Sequence, residues 1–146
     1  MGTLKVDTIE PRATSSDITL LANKFSGSAA GNLSVTGEGG TTQTNLQQGL
    51  VKAWCKFDGE AGTIANADSF NVSGLTDNGT GDYTVAIDND MANDDYAHNC
   101  SGSEQVMSPL NSGNTFAGSV RIYSKNLSDS NIDAQEVSLQ ITGDLA

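Results

Sequence analysis

The segment KAWCKFDG, residues 52–59, divides the chain into two stretches of different character and carries its only tryptophan, Trp54. Before it lie short pieces rich in glycine, serine and threonine, with few large apolar residues in the first fifty positions. After it come longer windows that alternate apolar and polar residues, with tyrosines and phenylalanines among them. Gly, Ser, Thr, Asn and Asp make up 72 of the 146 residues, a balance poor in helix formers and rich in turn formers. Period 2 recurs in several short windows, and no long stretch keeps period 3.6. The chain therefore reads as all-β and built of short strands, with an N-terminal attachment or stalk segment over 1–49 and a small antiparallel β-sandwich head over 50–146.

In the first part, Leu4 and Val6 alternate with Lys5 and Asp7 before Pro11 ends the strand. Further short strands are expected around Ile18 and Leu20, and at Leu33 and Val35, the last closed by Gly37, Gly39 and Gly40. So little apolar surface cannot offset an ordering entropy of roughly 1–2 kcal/mol per residue within one chain. Stubby strands with glycine-rich breaks suit a trimeric β-stalk in which each copy lends strands to a shared core; a flexible arm is the plainer reading. A helical turn or two is expected in TTQTNLQQGLVKAW, capped by Thr44 or Asn45 and ended by Gly49.

From Leu50 the strand signals strengthen. Val51, Ala53 and Cys55 are expected on one face of a strand, with Lys52, Trp54 and Lys56 on the other. Phe70, Val72 and Gly74 alternate toward the turn DNGTGD, from which Tyr83, Val85 and Ile87 return. Asn78-Gly79 tolerates positive φ and marks a hairpin. A second pair of strands is expected over 119–124 and 136–142, with Val120 and Ile122 facing Val137, Leu139 and Ile141. Shorter strands are expected over 96–100 and 115–118. About six strands in this length make a small sandwich.

A formal charge of −11 with seven scattered Lys and Arg disfavours binding to nucleic acid or to an anionic membrane. No apolar run resembles a signal peptide or a transmembrane helix, so synthesis in a cytoplasm and no membrane insertion are expected, and Met1 suggests a complete small subunit. Cys55 and Cys100 read as two buried thiols more readily than as a disulfide, and His98 lacks the further ligands of a zinc site. The acidic run DNDMANDD, 88–95, has the oxygen density of a calcium loop but misses the EF-hand pattern at Ala92, so a solvated loop is the simpler account. Neither a carboxylate pair beside an aromatic platform nor a GxSxG motif is present, and the expectation is a non-enzyme without catalytic residues, metal or cofactor.

LKVDTIEPRAT near the start, KAWCKFDG in the middle and DSFNVSGLTDNGTGDYTVAID after it resemble, in combination, fibre proteins of tailed bacteriophages, particularly those of marine and cyanobacterial phages. The resemblance covers the beginning and about 50–97. It implies a homotrimeric virion fibre subunit that joins other virion proteins of tail or capsid by its N-terminal end and presents its C-terminal head to a host surface glycan or protein. Leu4, Val6 and Ile9 would then belong to the attachment side, and Trp54, Phe70 and Tyr83 to the head core with Val120, Ile122 and Leu139. Trp54 reads as a core or inter-subunit anchor rather than a sugar platform. Candidate receptor-contact loops are 88–95, 101–114 and 125–133, represented by Asp90, Asn93, Asp94, Asp95, Asn111, Asn114, Asn126 and Asp129. A capsid-decorating head fibre of the same build that binds no receptor, and, from another class, a calcium-dependent glycan-binding module, are the alternatives.

Overall fold

The structure is a computed structural model and describes residues 34–36, 43–103, 106–109 and 112–146. Ahead of the seam, β1 (Ser34–Thr36) and β2 (Gln43–Asn45) pair antiparallel, and one helical turn, α1 (Leu46–Gly49), leads straight to the next strand. The helical turn expected there is present. The expected stalk strands containing Leu4, Val6, Ile9, Ile18 and Leu20 lie outside the described residues.

The rest is β-structure in two antiparallel sheets. The first runs β4 (Asn66–Phe70), β3 (Val51–Phe57), β11 (Val137–Thr142), β7 (Ala97–Gly102). The second runs β5 (Val72–Gly79), β6 (Asp82–Ile87), β10 (Ser119–Lys125), β8 (Val106–Pro109), with the short β9 (Thr115–Phe116) paired to the start of β10. Alternation sends Ala53, Cys55, Phe57, Val137, Leu139 and Ile141 inward from one sheet, and Tyr83, Val85, Ile87, Val120 and Ile122 inward from the other. The two inner faces share one buried core. Phe57 and Tyr83 meet across it edge to face, with ring centroids 5.3 Å apart.

Three expectations are corrected by this topology. The strand read through Phe70, Val72 and Gly74 is two strands, because Asn71 turns the chain at φ 54° and carries it from one sheet to the other. The windows 119–124 and 136–142 are not neighbours in a sheet: β10 and β11 lie in opposite sheets, and their apolar residues meet only through the core. Trp54 and Phe70 do not belong to that core. Trp54 has the opposite parity to Ala53, Cys55 and Phe57, and Phe70, its partner in register on β4, is 56% exposed. Tyr83, Val120, Ile122 and Leu139 are buried as expected.

Val51 also departs from the expected face. The β3 to β11 register shifts between Ile141 and Thr142, so that Ala53 opposes Ile141 while Val51 opposes Thr142 and Lys52 is the extra residue of a bulge. Val51 thereby shares the outer face with Trp54 and is 38% exposed, while Lys52 is buried.

Cys55 and Cys100 both oppose Leu139, from the two strands that flank it. One interposed strand puts their α carbons about 10 Å apart, beyond the roughly 7 Å that a disulfide spans. Both are free thiols.

Candidate functional site

Strand direction sorts the loops to two ends of the sandwich. At the end where the chain enters β3, β4 reaches Phe70, β7 begins opposite Thr142, and β10 begins at Ser119 opposite Ala86. Here lie the Asn71 corner, residues 88–96, the turn before Ser119 and the last residues of the chain. At the far end lie 58–65, the β5 to β6 turn, Ser103, and 126–136. The candidate contact residues divide accordingly: Asp90, Asn93, Asp94 and Asp95 at the entry end, Asn126 and Asp129 at the far end. Asn114 stands just before β9, and Asn111 lies outside the described residues.

The acidic run 88–95 is not a hanging loop. Met91 in its middle is 1% exposed and belongs to the core, anchoring the run where an apolar residue interrupts the acids. Backbone bonds fasten it: Met91 N–H donates to Ala117 O (2.9 Å), Ala92 N–H to Asp144 O (2.9 Å), and Ala146 N–H to Asp90 O (2.9 Å). At its start, Asn89 N–H and Nδ2 both donate to Asn71 Oδ1. Among the described residues, no three His, Cys, Asp or Glu side chains converge as a metal site. The run caps the entry end of the core.

At the far end, the chain leaving β10 closes a turn whose base is fully bonded. Asn126 N–H donates to Ser130 O (2.9 Å), Asp129 N–H donates to Asn126 O (3.0 Å), and the Asn126 side-chain oxygen accepts from Ser128 N–H (2.9 Å) and Ser130 N–H (3.1 Å). Asp129 takes φ 61°, and Lys125 Nζ pairs with its carboxylate at 2.7 Å. At the tip Leu127 is 96% exposed. Such a turn presents an apolar side chain from a preset backbone, so little further ordering is needed on contact.

The same turn is tied to the hairpin beside it. Ser124 N–H donates to Gly81 O and Ile132 N–H to Ser124 O, while the Asp133 carboxylate accepts from Gly81 N–H (2.7 Å) and lies 3.1 Å from the Tyr83 hydroxyl. Burial, then the adjacent Asp133 charge, pushes the Tyr83 phenol well up. Gly59 completes the arrangement: its N–H donates to Ala134 O at 2.9 Å, its carbonyl faces the same hydroxyl at 3.1 Å, and a β carbon here would fall 2.5 Å from that oxygen. The sequence marks Asn78-Gly79 as a hairpin turn, but neither that turn nor 58–65 is among its expected contact loops. The Asp-Gly that closes KAWCKFDG was the available signal.

On the outer face of the second sheet, Asp82 accepts a two-pronged contact from Arg121, Nε at 2.8 Å and Nη2 at 2.6 Å, with Asn78 Nδ2 at 3.2 Å. The Arg121 guanidinium holds the Asp82 carboxyl below the usual carboxylate range, and its own carbon stands 5.4 Å from the centre of the Tyr123 ring. This cluster is already internally paired.

On the inner face of β7, both ring nitrogens of His98 are buried without a hydrogen-bond partner, and the ring meets Tyr96 edge to face at 6.0 Å. Burial pushes the Cys55 thiol up to about 11, and burial followed by the Cys55 charge pushes Cys100 up to about 12. Thiols so placed are poor nucleophiles and metal ligands. His98 and Cys100 share a face, but it is the packed face.

No family model matches the chain, and neither does any curated protein or solved structure.

Proposed function

We propose that this chain is a non-enzymatic structural subunit of a tailed-phage fibre, homotrimeric through its N-terminal segment, whose head meets the host surface with its far end. The observation that carries this reading is the separation of the two ends. The chain enters beside the core-capping run 88–95, and the far end carries the bonded turn at 126–130 with Leu127 at its tip.

On this reading the contact surface is narrower than the sequence suggests. Residues of 126–133 and the neighbouring 58–65 and 78–81 face the host, whereas Asp90, Asn93, Asp94 and Asp95 face the stalk and particle. The motif resemblance to phage fibres supports the assignment, and so does a chain in which Gly, Ser, Thr, Asn and Asp make up 72 of 146 residues. Virion location and assembly with other virion proteins belong to the same proposal.

Two measurements test it. Sedimentation equilibrium of the full chain is expected to give three times the monomer mass of 15.1 kDa. The purified chain is also expected to compete for adsorption of the phage that carries it. Leu127→Asp should lose that competition without a change in melting, and Asp94→Asn should keep it. A monomer, or competition lost only with Asp94→Asn, would overturn the reading.

A further inference from the structure

A glycine that follows aspartate or asparagine leaves its backbone nitrogen able to close a five-membered imide on the side chain before it, because no β carbon crowds the approach. The chain has two such pairs, Asp58-Gly59 and Asn78-Gly79, and both lie at the far end. The structure treats them oppositely. Gly59 is buried, its N–H donates to Ala134 O at 2.9 Å, and a β carbon there would meet the Tyr83 hydroxyl. That nitrogen is held away from Asp58.

Asn78 and Gly79 are both exposed, and nothing lies within 4 Å of the place a Gly79 β carbon would take. β5 bulges here: Asp77 opposes Tyr83 and Gly79 opposes Asp82, which leaves Asn78 without a partner in register. The Gly79 N–H donates to Asp77 Oδ1 at 2.9 Å. A carboxylate at that distance is inside the roughly 2.6–3.2 Å reach of a general base.

We propose that Asn78 is a self-modification site, at which the Gly79 nitrogen attacks the Asn78 side-chain amide carbon with Asp77 as general base. The bond from Gly79 N to Asn78 Cγ forms, the Cγ–Nδ2 bond breaks, and ammonia leaves. Asp77 takes the Gly79 proton and returns it to solvent, while the departing nitrogen gains one proton from solvent. Water then opens the imide. Breaking its bond at Cγ gives aspartate, and breaking its bond at the main-chain carbon gives isoaspartate, with the chain running through Cγ.

The product alters more than one side chain. Asn78 Nδ2 donates to Thr84 Oγ1 at 2.9 Å and to Asp82 Oδ1 at 3.2 Å, which ties the turn to the Asp82–Arg121 pair. A carboxylate in place of that amide cannot donate and stands beside Asp82 as a like charge. Isoaspartate also lengthens the backbone within the bulge. The far-end hairpin thus gains a negative charge and a changed turn as the protein ages. This chemistry is independent of the fibre reading, and only its effect on a host contact rests on it.

The full chain is incubated at pH 8, isoaspartate is measured by methyltransferase labelling, and peptide mass spectrometry places each amide-to-acid conversion. Asn78, the only asparagine followed by glycine, is expected to convert at least roughly tenfold faster than any other asparagine, with no isoaspartate at Asp58 while the chain is folded. Asp77→Asn and Asp77→Ser keep an acceptor for the Gly79 N–H but remove the carboxylate. Each should slow conversion at Asn78 at least roughly threefold in the folded chain and leave it unchanged in guanidinium, with far-UV dichroism confirming the fold. Asn78→Gln, whose longer side chain does not close the five-membered ring, should abolish conversion at this position. An Asn78 no faster than the other asparagines, or isoaspartate formed equally at Asp58, overturns the site. Rates equal to the parent's in both Asp77 variants overturn the general base.

Discussion

Asn71 and Asn89 are locked to each other through their amides at the corner where the chain changes sheets. Asn71 Oδ1 accepts from Asn89 N–H at 2.7 Å and from its Nδ2 at 2.9 Å, while Asn71 Nδ2 donates to Asn89 O at 3.1 Å and to Lys52 O at 3.0 Å. Asparagine suits the place twice, since it tolerates the left-handed φ of 54° and its side chain mimics a peptide. Replacement by alanine loses both the bonds and the tolerance, and Asn71→Ala is expected to cost about 2–4 kcal/mol in urea unfolding. Asn71→Gly keeps the backbone angle and should recover about 1 kcal/mol of that loss. Equal losses in the two variants would show that the angle contributes nothing.

The same corner marks how far the sequence could be read. Period 2 found β3, the hairpin of β5 and β6, β10 and β11, because each has one buried face and the pattern needs nothing beyond local parity. Parity cannot say which sheet a strand joins. Thus Phe70 appeared to continue into Val72, since the turn at Asn71 occupies one residue and interrupts no alternation. The misplacement of Trp54 has a related cause: aromatic content suggests a core, yet its parity with Lys52 and Lys56 already opposed that, and only burial decides. For the candidate surface, loop residues were legible as loops, but their sorting to opposite ends depends on pairing registers that no single segment contains.

Ser124 supplies a test of how the core tolerates polar groups. It is fully buried on β10, and its hydroxyl has no hydrogen-bond partner. Its burial carries a desolvation cost of about 1 kcal/mol or more with nothing in return. Ser124→Ala is expected to raise the melting temperature by about 4–8 °C in scanning calorimetry. A lower melting temperature would show that the hydroxyl is satisfied in solution.

Alkaline unfolding should report buried Cys55, partly buried Cys100 and Tyr96. Cys55 is pushed up to about 11, Cys100 to about 12 and Tyr96 to about 12, each chiefly by burial. A pKa raised in the folded state leaves stability fully present below the unfolded value, near 9 for the thiols and 10 for tyrosine, and erodes it as pH rises through the folded values. Stability should be flat up to about pH 8.5 and fall between about pH 9 and 12. Cys55→Ala with Cys100→Ala should remove the early part of that fall, and Ellman's reagent at pH 8 should label neither thiol until the chain unfolds.

At the acid limb the sign reverses. The Asp82 carboxyl is held low, first by its bonds from Arg121, so its contribution is present above the ordinary carboxylate value near 4 and is lost as pH falls through the lower folded value. Arg121→Gln should flatten this part of the stability curve, and Asp82→Asn should do the same. An unchanged slope below pH 4 in both variants would assign the acid limb to other carboxylates.

Gly81 connects core geometry to the far-end turn, and the last prediction concerns that link. Its φ is 63°, and a β carbon there would lie 2.5 Å from Ser124 O and 2.7 Å from Ile132 N, both backbone atoms that cannot swing aside. Gly81→Ala therefore combines left-handed strain with a collision, for an expected loss of about 3 kcal/mol or more in urea unfolding. Gly62→Ala, at a position with open space around the added carbon, should change stability by less than about 0.5 kcal/mol. Because Gly81 O accepts from Ser124 N–H and its own N–H bonds Asp133, the strain falls on the base of the turn that presents Leu127. Amide exchange of Ser128 and Ser130 should accelerate in Gly81→Ala and stay unchanged in Gly62→Ala; protection kept in both would show that the turn holds itself without the hairpin.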